Sequence, residues 1–281
     1  MPEPLITHDG LRLYVRDWVA PIPRGRVMLV HGLGEHVGRY AHVAAVLNAL
    51  GWTVRAYDQR GHGRSEGSRG VIASADALLR DLGAALADFD GTGPLVLLGH
   101  SMGGAVAARY VAERLQAQPA AWAQPVDALA LSSPALAATL STGQQWLLKL
   151  ALPLAPNLGV SNGLKPEWIC RDPQVVQAYC NDPHVHDRIS PRLTRFILDA
   201  GEAVRAAAPR WQVPTLLMWA ARDRCVDARG SEAFAAQAPA GVVTAKAWPG
   251  LAHEIFNEPE QRAVLATLTE WLDQRVFSAT R

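Results

Sequence analysis

Charge of one sign is what this chain most conspicuously lacks: 27 Lys and Arg stand against 26 Asp and Glu in 281 residues, a formal net charge of +1. That balance excludes the basic stripe a nucleic-acid surface needs, so no nucleic-acid partner is expected. No apolar run reaches the roughly 18 residues of a membrane-spanning helix. The opening Met1-Pro2-Glu3-Pro4-Leu5 has neither the basic segment nor the apolar core of a secretory leader. Cysteine is scarce: Cys170, Cys180 and Cys225 are widely spaced, odd in number and form no C-x-x-C. Such a set suits reduced thiols in a cytoplasmic protein. There is no internal repeat and no low-complexity tract. Metal ligands do not cluster either. The His184-x-His186 pair has no further obvious partners, so it reads as a solvated loop, and neither metal nor cofactor is expected.

Apolar residues are plentiful instead, at 49% of the chain, enough to bury a large core as one domain with an insertion. Strand candidates fall at 12–18, 26–31, 53–57, 95–100, 127–132, 214–220 and 242–248. Helical patterns at 40–50, 74–90, 104–118, 229–238 and 259–275 lie between most of them. Strands alternating with helices predict an α/β fold, a mostly parallel sheet covered on both faces. From about 135 to 210 the rhythm stops, and proline-interrupted helical segments fill the gap. Ser190-Pro191 has the form of an N-cap and first-turn pair for one of them. The organisation expected is therefore a core in two parts, 1–134 and 211–281, with residues 135–210 inserted as a helical cap over the carboxyl edge of the sheet, where open α/β folds place their sites.

The motif G-x-S-x-G, the signature of a nucleophile elbow, occurs twice: at Gly63, Ser65 and Gly67, and at Gly99, Ser101 and Gly103. Context separates the two. Before Ser101 runs Pro94-Leu95-Val96-Leu97-Leu98, apolar enough for a central parallel strand, and after it an Ala-rich helical stretch. Strand, turn and helix are what an elbow requires. Ser65 lies in a Gly-rich, charged loop, Asp58 to Gly70, with no apolar run before it and no helical period after it. Ser101 is the candidate nucleophile and Ser65 a structural residue.

A serine nucleophile needs a base and an acid to orient that base. Of nine histidines, only His253 follows the last strand, in a loop that should reach back to the top of the sheet. It is the candidate base. The loop after strand 214–220 carries Asp223 and Asp227. Asp223, nearer the strand end, is the candidate acid, and Asp227 is expected to cap the helix that begins near Arg229. Two backbone donors must meet the developing oxyanion. Met102, after the nucleophile, supplies one, and Leu33 in the glycine-rich loop His31-Gly32-Leu33-Gly34-Glu35-His36 supplies the other.

The segments 31–40 (His-Gly-Leu-Gly-Glu-His-Val-Gly-Arg-Tyr), 58–67 and 99–104 resemble those of the monoacylglycerol lipase branch of the α/β-hydrolases. Residues 221–227 and 253–258 are similar to its acid and histidine segments. The likeness spans nearly the whole chain and is weakest over 135–165. It implies an α/β-hydrolase fold with a cap, a structural loop at 58–67, and a polar lining of Glu35, Arg39, His100 and Tyr179 around the glycerol end of a substrate. Leu33 departs from the small residue often found at its position. The branch also holds lysophospholipases and broad carboxylesterases.

The function expected is thus hydrolysis of single-chain lipid esters through an acyl-enzyme. The alternatives are a thioesterase or aminopeptidase on the same three residues, the latter needing an anionic pocket for which Glu35 is the only nearby candidate, and, in another class, a non-catalytic ligand receptor. Serine at the elbow disfavours dehalogenases and most epoxide hydrolases. Lastly, the stretch 144–154 is apolar nearly all round, with Lys149 its only charge. It is either a helix buried between cap and sheet or, the preferred expectation, a lid whose outer face touches lipid aggregates or a membrane surface while its inner face lines an acyl channel, with Pro153 ending or kinking it.

Overall fold

The structure is a computed structural model that describes residues 3–277. The chain opens with β1 (Leu5–Ile6), β2 (Arg12–Leu13), β3 (Val15–Trp18) and β4 (Gly25–Val30), followed by α1 (Ala41–Ala49) and β5 (Trp52–Tyr57). Then come α2 (Ala77–Ala87), β6 (Leu95–His100), α3 (Ser101–Glu113) and β7 (Ala128–Ser132). After α4 (Thr142–Leu154), β8 (Val160–Ser161), α5 (Pro173–Asn181), β9 (Arg188–Ile189) and α6 (Pro191–Ala207), the chain ends in β10 (Thr215–Ala220), α7 (Arg229–Gln237), β11 (Val243–Trp248) and α8 (Gln261–Leu272).

Seven strands form the central sheet in the order β11-β10-β7-β6-β4-β5-β3. All neighbours are parallel except β3, which runs antiparallel to β5 at the edge. Side chains alternate along each strand, so neighbouring apolar residues serve opposite faces. Met28, Leu97, Leu129 and Leu217 join one core cluster with α2 and α3, while Leu29, Leu98, Ala130 and Leu216 join another with α1 and α8. This is the mostly parallel sheet, covered on both faces, expected from the alternation of apolar runs and helical periods, and it has the α/β-hydrolase form that the resemblance implied.

The strand order reverses at β4, which has β5 on one side and β6 on the other. Chains that turn in opposite directions there leave a crevice at the carboxyl ends of the two strands. Register makes this concrete. Val30 pairs with Gly99, His100 with Ser132, and Ala220 with Trp248. The loops at 31–36, 101–102, 221–227 and 249–253 therefore all leave the same edge side by side.

Between β7 and β10 the chain adds no strand to the central sheet. It forms the helices α4, α5 and α6 and a two-residue antiparallel ladder, β8 with β9, too short to be visible in the sequence. The last of these helices is not a loose cover. Ser190 caps α6 by accepting the Leu193 N–H, and Leu193, Phe196, Ala200 and Val204 lie in the same cluster as the sheet. At the other extreme, α4 buries none of its residues. Trp146, Leu147, Leu150 and Leu154 are 60–82% exposed, so the helix is not the core element its composition would also have allowed. Pro153 lies inside the helix, which stops one residue later, at Leu154. Its N-terminus is closed by a capping box in which Ser141 and Gln144 exchange side-chain and backbone bonds.

Candidate active site

Ser101 stands on the turn between β6 and α3 with φ of 53°, in the left-handed region that non-glycine residues rarely occupy. Packing enforces the strain. A Cβ on Gly99 would come within 2.6 Å of the Gly103 carbonyl, and one on Gly103 would clash with the carbonyls of Val30 and His31. Helix α3 begins at Ser101 itself, not near residue 104, because the weak helix propensity of Gly103 and Gly104 hides its first turn in the sequence.

His253 approaches from the loop after β11. Its Nε2 lies 2.9 Å from Ser101 Oγ and its Nδ1 2.6 Å from Asp223 Oδ2. The partners assign the tautomer: Nδ1–H donates to the carboxylate, and Nε2 accepts the serine O–H. The other oxygen of Asp223 accepts the amides of Cys225 and Val226, at 2.8 and 3.1 Å, which fixes its plane. Burial opposes ionisation of Asp223, but the imidazole charge and hydrogen bond together with these two amides hold its carboxyl below the usual range. Burial likewise opposes protonation of His253. The charge and bond of Asp223, then Glu254 and Glu35, outweigh it and raise its pKa above the ordinary imidazole value.

The other carboxylate, Asp227, binds elsewhere. It accepts the Arg229 amide at 3.0 Å and pairs with the Arg229 guanidinium and the Thr139 hydroxyl. It thus binds the first residue of α7 but is not the N-cap expected of it, since Ala228 holds that position.

The loop 31–36 lies beside the elbow. Gly32 N–H donates to Glu35 Oε1 at 2.6 Å, and neither Leu33 N–H nor Met102 N–H has an acceptor among the described residues. Met102 also sits in the first turn of α3, where the helix dipole favours negative charge. Gly34 adopts φ of 77°, and its carbonyl accepts the amide of His186 at 2.9 Å. A Cβ there would strike the His186 carbonyl. His36 Nε2 adds a contact to Asp182 at 2.8 Å. Two bonds therefore tie the inserted segment to this loop.

The polar lining divides in two. His100 faces the His253 ring at a centroid distance of 4.8 Å, and its Nδ1 is 3.0 Å from Ser132 Oγ. Burial, then the neighbouring His253, pushes its pKa down to about 4, so it is neutral at pH 7. Tyr179, on α5, stacks on the Arg39 guanidinium at 4.9 Å, and burial raises its phenol. Glu35 and Arg39 are bound to each other at 2.7 Å. Glu35 also accepts Tyr40 O–H at 2.6 Å, and Arg39 sends both prongs to Glu254, at 2.5 and 2.6 Å. Burial would raise Glu35, yet the Arg39 charge, then His100 and His31, and the Tyr40 bond keep its pKa at about 2. The sequence reading did not single out Tyr40, Ser132 or Glu254. Only Glu254, next to the candidate base, carried a positional signal.

Two sets of possible metal donors deserve comparison with these bonds. Asp223, Cys225 and His253 offer atoms within 4.8 Å of one another, but the first and last spend theirs on each other, and burial raises the Cys225 thiol. His8, Asp9 and Asp81 form the second set. There the Arg60 guanidinium engages both carboxylates at 2.6–2.9 Å and already supplies the cation. His184 and His186 diverge, the first meeting His36 and the second His62.

A family model described as serine aminopeptidase, S33, matches residues 21–260. The chain is 36% identical to the monoacylglycerol lipase of Mycolicibacterium smegmatis, over 94% of its own length and 93% of that protein's. It is 32% identical to the monoglyceride lipase of Rattus norvegicus, over 98% and 91%. Among solved structures, that of the Paleococcus ferrophilus monoacylglycerol lipase superposes with a TM-score of 0.83 at 33% identity, covering 92% of this chain and 98% of that one.

Proposed function

The chain belongs to the serine aminopeptidase S33 family and is a serine ester hydrolase; from that premise we propose that it cleaves monoacylglycerols or similar single-chain lipid esters with Ser101, His253 and Asp223. The relay of 2.9 and 2.6 Å carries the reading. Ser101 Oγ adds to the ester carbonyl while its proton passes to His253 Nε2, and Asp223 stabilises the imidazolium. The oxyanion lies on the amides of Leu33 and Met102. The tetrahedral adduct collapses as Nε2–H protonates the departing glycerol oxygen, leaving an acyl-Ser101. Water, deprotonated by the same Nε2, then releases the fatty acid and returns the serine.

Ester is favoured over amide despite the family's descriptive name. An exopeptidase needs a carboxylate for the free amine, and Glu35 is already committed to Arg39, Tyr40 and Gly32. His100 and Tyr179 remain for the glycerol hydroxyls. The segment 137–189 acts as the cap, with α6 belonging to the core on which it rests. Its helix α4 offers an exposed apolar face to lipid aggregates or a membrane surface. Among the described residues no helix is long and apolar enough to cross a membrane.

The test is a substrate panel: monoacylglycerols, lysophospholipids, acyl thioesters, p-nitrophenyl esters and aminoacyl amides. Monoacylglycerols should give the highest kcat/KM, and aminoacyl amides no turnover. Preference for an aminoacyl amide, or absence of turnover on every ester, would overturn the proposal.

A further inference from the structure

The fork that Arg39 makes with Glu254 does more than fill a polar corner. Glu35 belongs to the loop that presents Leu33, and Glu254 directly follows His253. Arg39 grips both, at 2.7 Å on one side and 2.5 and 2.6 Å on the other, with its side chain only 10% exposed. A carboxylate that accepts both prongs of a guanidinium is ionised. The buried trio then holds two negative charges and one positive. Asn257 Nδ2 donates to the Glu254 carboxylate at 2.8 Å, and the Glu254 backbone amide donates to the Ile169 carbonyl at 2.8 Å, so both the side chain and the backbone of this residue are held.

We infer that Glu254 is a positioning residue for the hydrolysis: through Arg39 it locks the histidine loop to the oxyanion loop, and it leaves one unbalanced negative charge beside the His253 imidazole. The inference rests on the role proposed above for His253. Besides Glu254, the groups facing that imidazole are Asp223 and Cys225 from the loop after β10, His100 from the end of β6, and Glu35 with its partner Arg39 from the loop after β4 and the turn that follows it. His100 is neutral, and Arg39 offsets one of the two glutamates, so the net field favours the imidazolium. That field acts only when His253 takes the serine proton. It therefore lowers the barrier without binding the substrate more tightly. The same geometry gives Glu35 and Arg39 a second duty beside any contact with glycerol.

The experiment is a pH–rate profile of kcat/KM on a soluble acetate ester for Glu254→Gln and Glu254→Asp. The acid limb of the wild type reports the protonation of His253. Loss of the charge in Glu254→Gln should move this limb to lower pH by about half to one unit and reduce kcat roughly tenfold, with KM changed less than about twofold. Glu254→Asp retains the charge, so its limb should stay at the wild-type position. A fall in kcat with an unmoved limb in Glu254→Gln would mean that the residue only packs, and unchanged kinetics would remove it from the mechanism; either result overturns the inference. If Glu254→Gln does not fold, Glu35→Gln removes the same charge from the other end of the fork and must shift the limb in the same direction. Failure here is distinct from failure of the triad: in the latter case Ser101→Ala would keep its activity and its reaction with a fluorophosphonate.

Discussion

Ser65 Oγ accepts the Tyr14 backbone amide at 2.8 Å and donates to the Asp58 carbonyl. The serine of the upstream G-x-S-x-G thus pins the loop at 58–70 to the edge of the sheet, and its hydroxyl has no proton to give a base. Ser101→Ala should lower kcat by about 10⁴ to 10⁶ with an unchanged melting temperature. Ser65→Ala should keep its turnover and lose on the order of 1 kcal/mol of stability, the usual cost of a missing buried hydrogen bond. Ester turnover and thermal unfolding of the two variants decide the matter. Activity lost from Ser65→Ala alone would reverse the assignment.

The two aspartates after β10 should separate just as clearly. Asp223→Asn should reduce kcat by about 10⁴, since an amide at that place favours the wrong imidazole tautomer. Asp227→Asn loses its ion pair with the exposed Arg229 guanidinium and alters the Thr139 contact but keeps an oxygen for the Arg229 amide, so its kcat should stay within about twofold of the wild type. Steady-state kinetics on a soluble ester, where binding to aggregates plays no part, is the measurement. Equal losses would leave the orienting acid unassigned.

On α4 the side chains of Leu147 and Leu150 are 68% and 60% exposed. Serine at both positions removes little packing, so the melting temperature should move by less than about 2 °C. Binding to phosphatidylcholine vesicles and turnover of long-chain monoacylglycerols should both fall, while acetate-ester hydrolysis is retained. Vesicle co-sedimentation gives the direct reading. Binding that survives the double substitution would move the lipid contact elsewhere on the surface.

Acidification should destabilise the fold through histidines rather than carboxylates first. Burial lowers the pKa values of His31, His62 and His100, the last to about 4. Below the unfolded value of about 6.5, the unfolded chain binds these protons and the folded chain does not. Stability therefore falls as pH drops from 6.5 towards 4, by about 1.4 kcal/mol per pH unit for each histidine in that state. His253 has the opposite sign. Its folded pKa is raised, so its contribution is full below the unfolded value and is lost as pH rises through the folded one. Urea unfolding between pH 4.5 and 8 should show a maximum near neutrality. His62→Gln should flatten the acid side; an unaltered slope would place the proton uptake on other groups.

Much of this was legible in the sequence because it was local. The apolar run before Ser101, the single histidine after the last strand and the aspartate just past β10 are positional signals, and parallel register brings them to one edge. What could not be read were relations between distant segments. The Arg39 fork spans 215 residues to Glu254 with no local pattern to announce it. The 144–154 helix was ambiguous for a different reason. A helix apolar on every side has no periodicity to say which face is buried, and only the exposure of Trp146, Leu147, Leu150 and Leu154, seen in three dimensions, decides it. The Glu35 and Arg39 side chains, assigned to substrate by resemblance, are engaged with protein groups: Glu35 with Arg39, Tyr40 and Gly32, and Arg39 with Glu35 and both carboxylate oxygens of Glu254.

The left-handed backbone of Ser101 has a consequence for how this protein can change. A residue with a Cβ in that conformation costs on the order of 1 kcal/mol that glycine would not. The fold as such would gain from exchanging Ser101 for glycine, and random drift selected only for solubility or abundance would be drawn towards a firmer, inert molecule. Ser101→Gly should accordingly unfold at a slightly higher temperature than Ser101→Ala, although neither turns over substrate. The proposed nucleophile sits where selection for durability and selection for chemistry would pull in opposite directions.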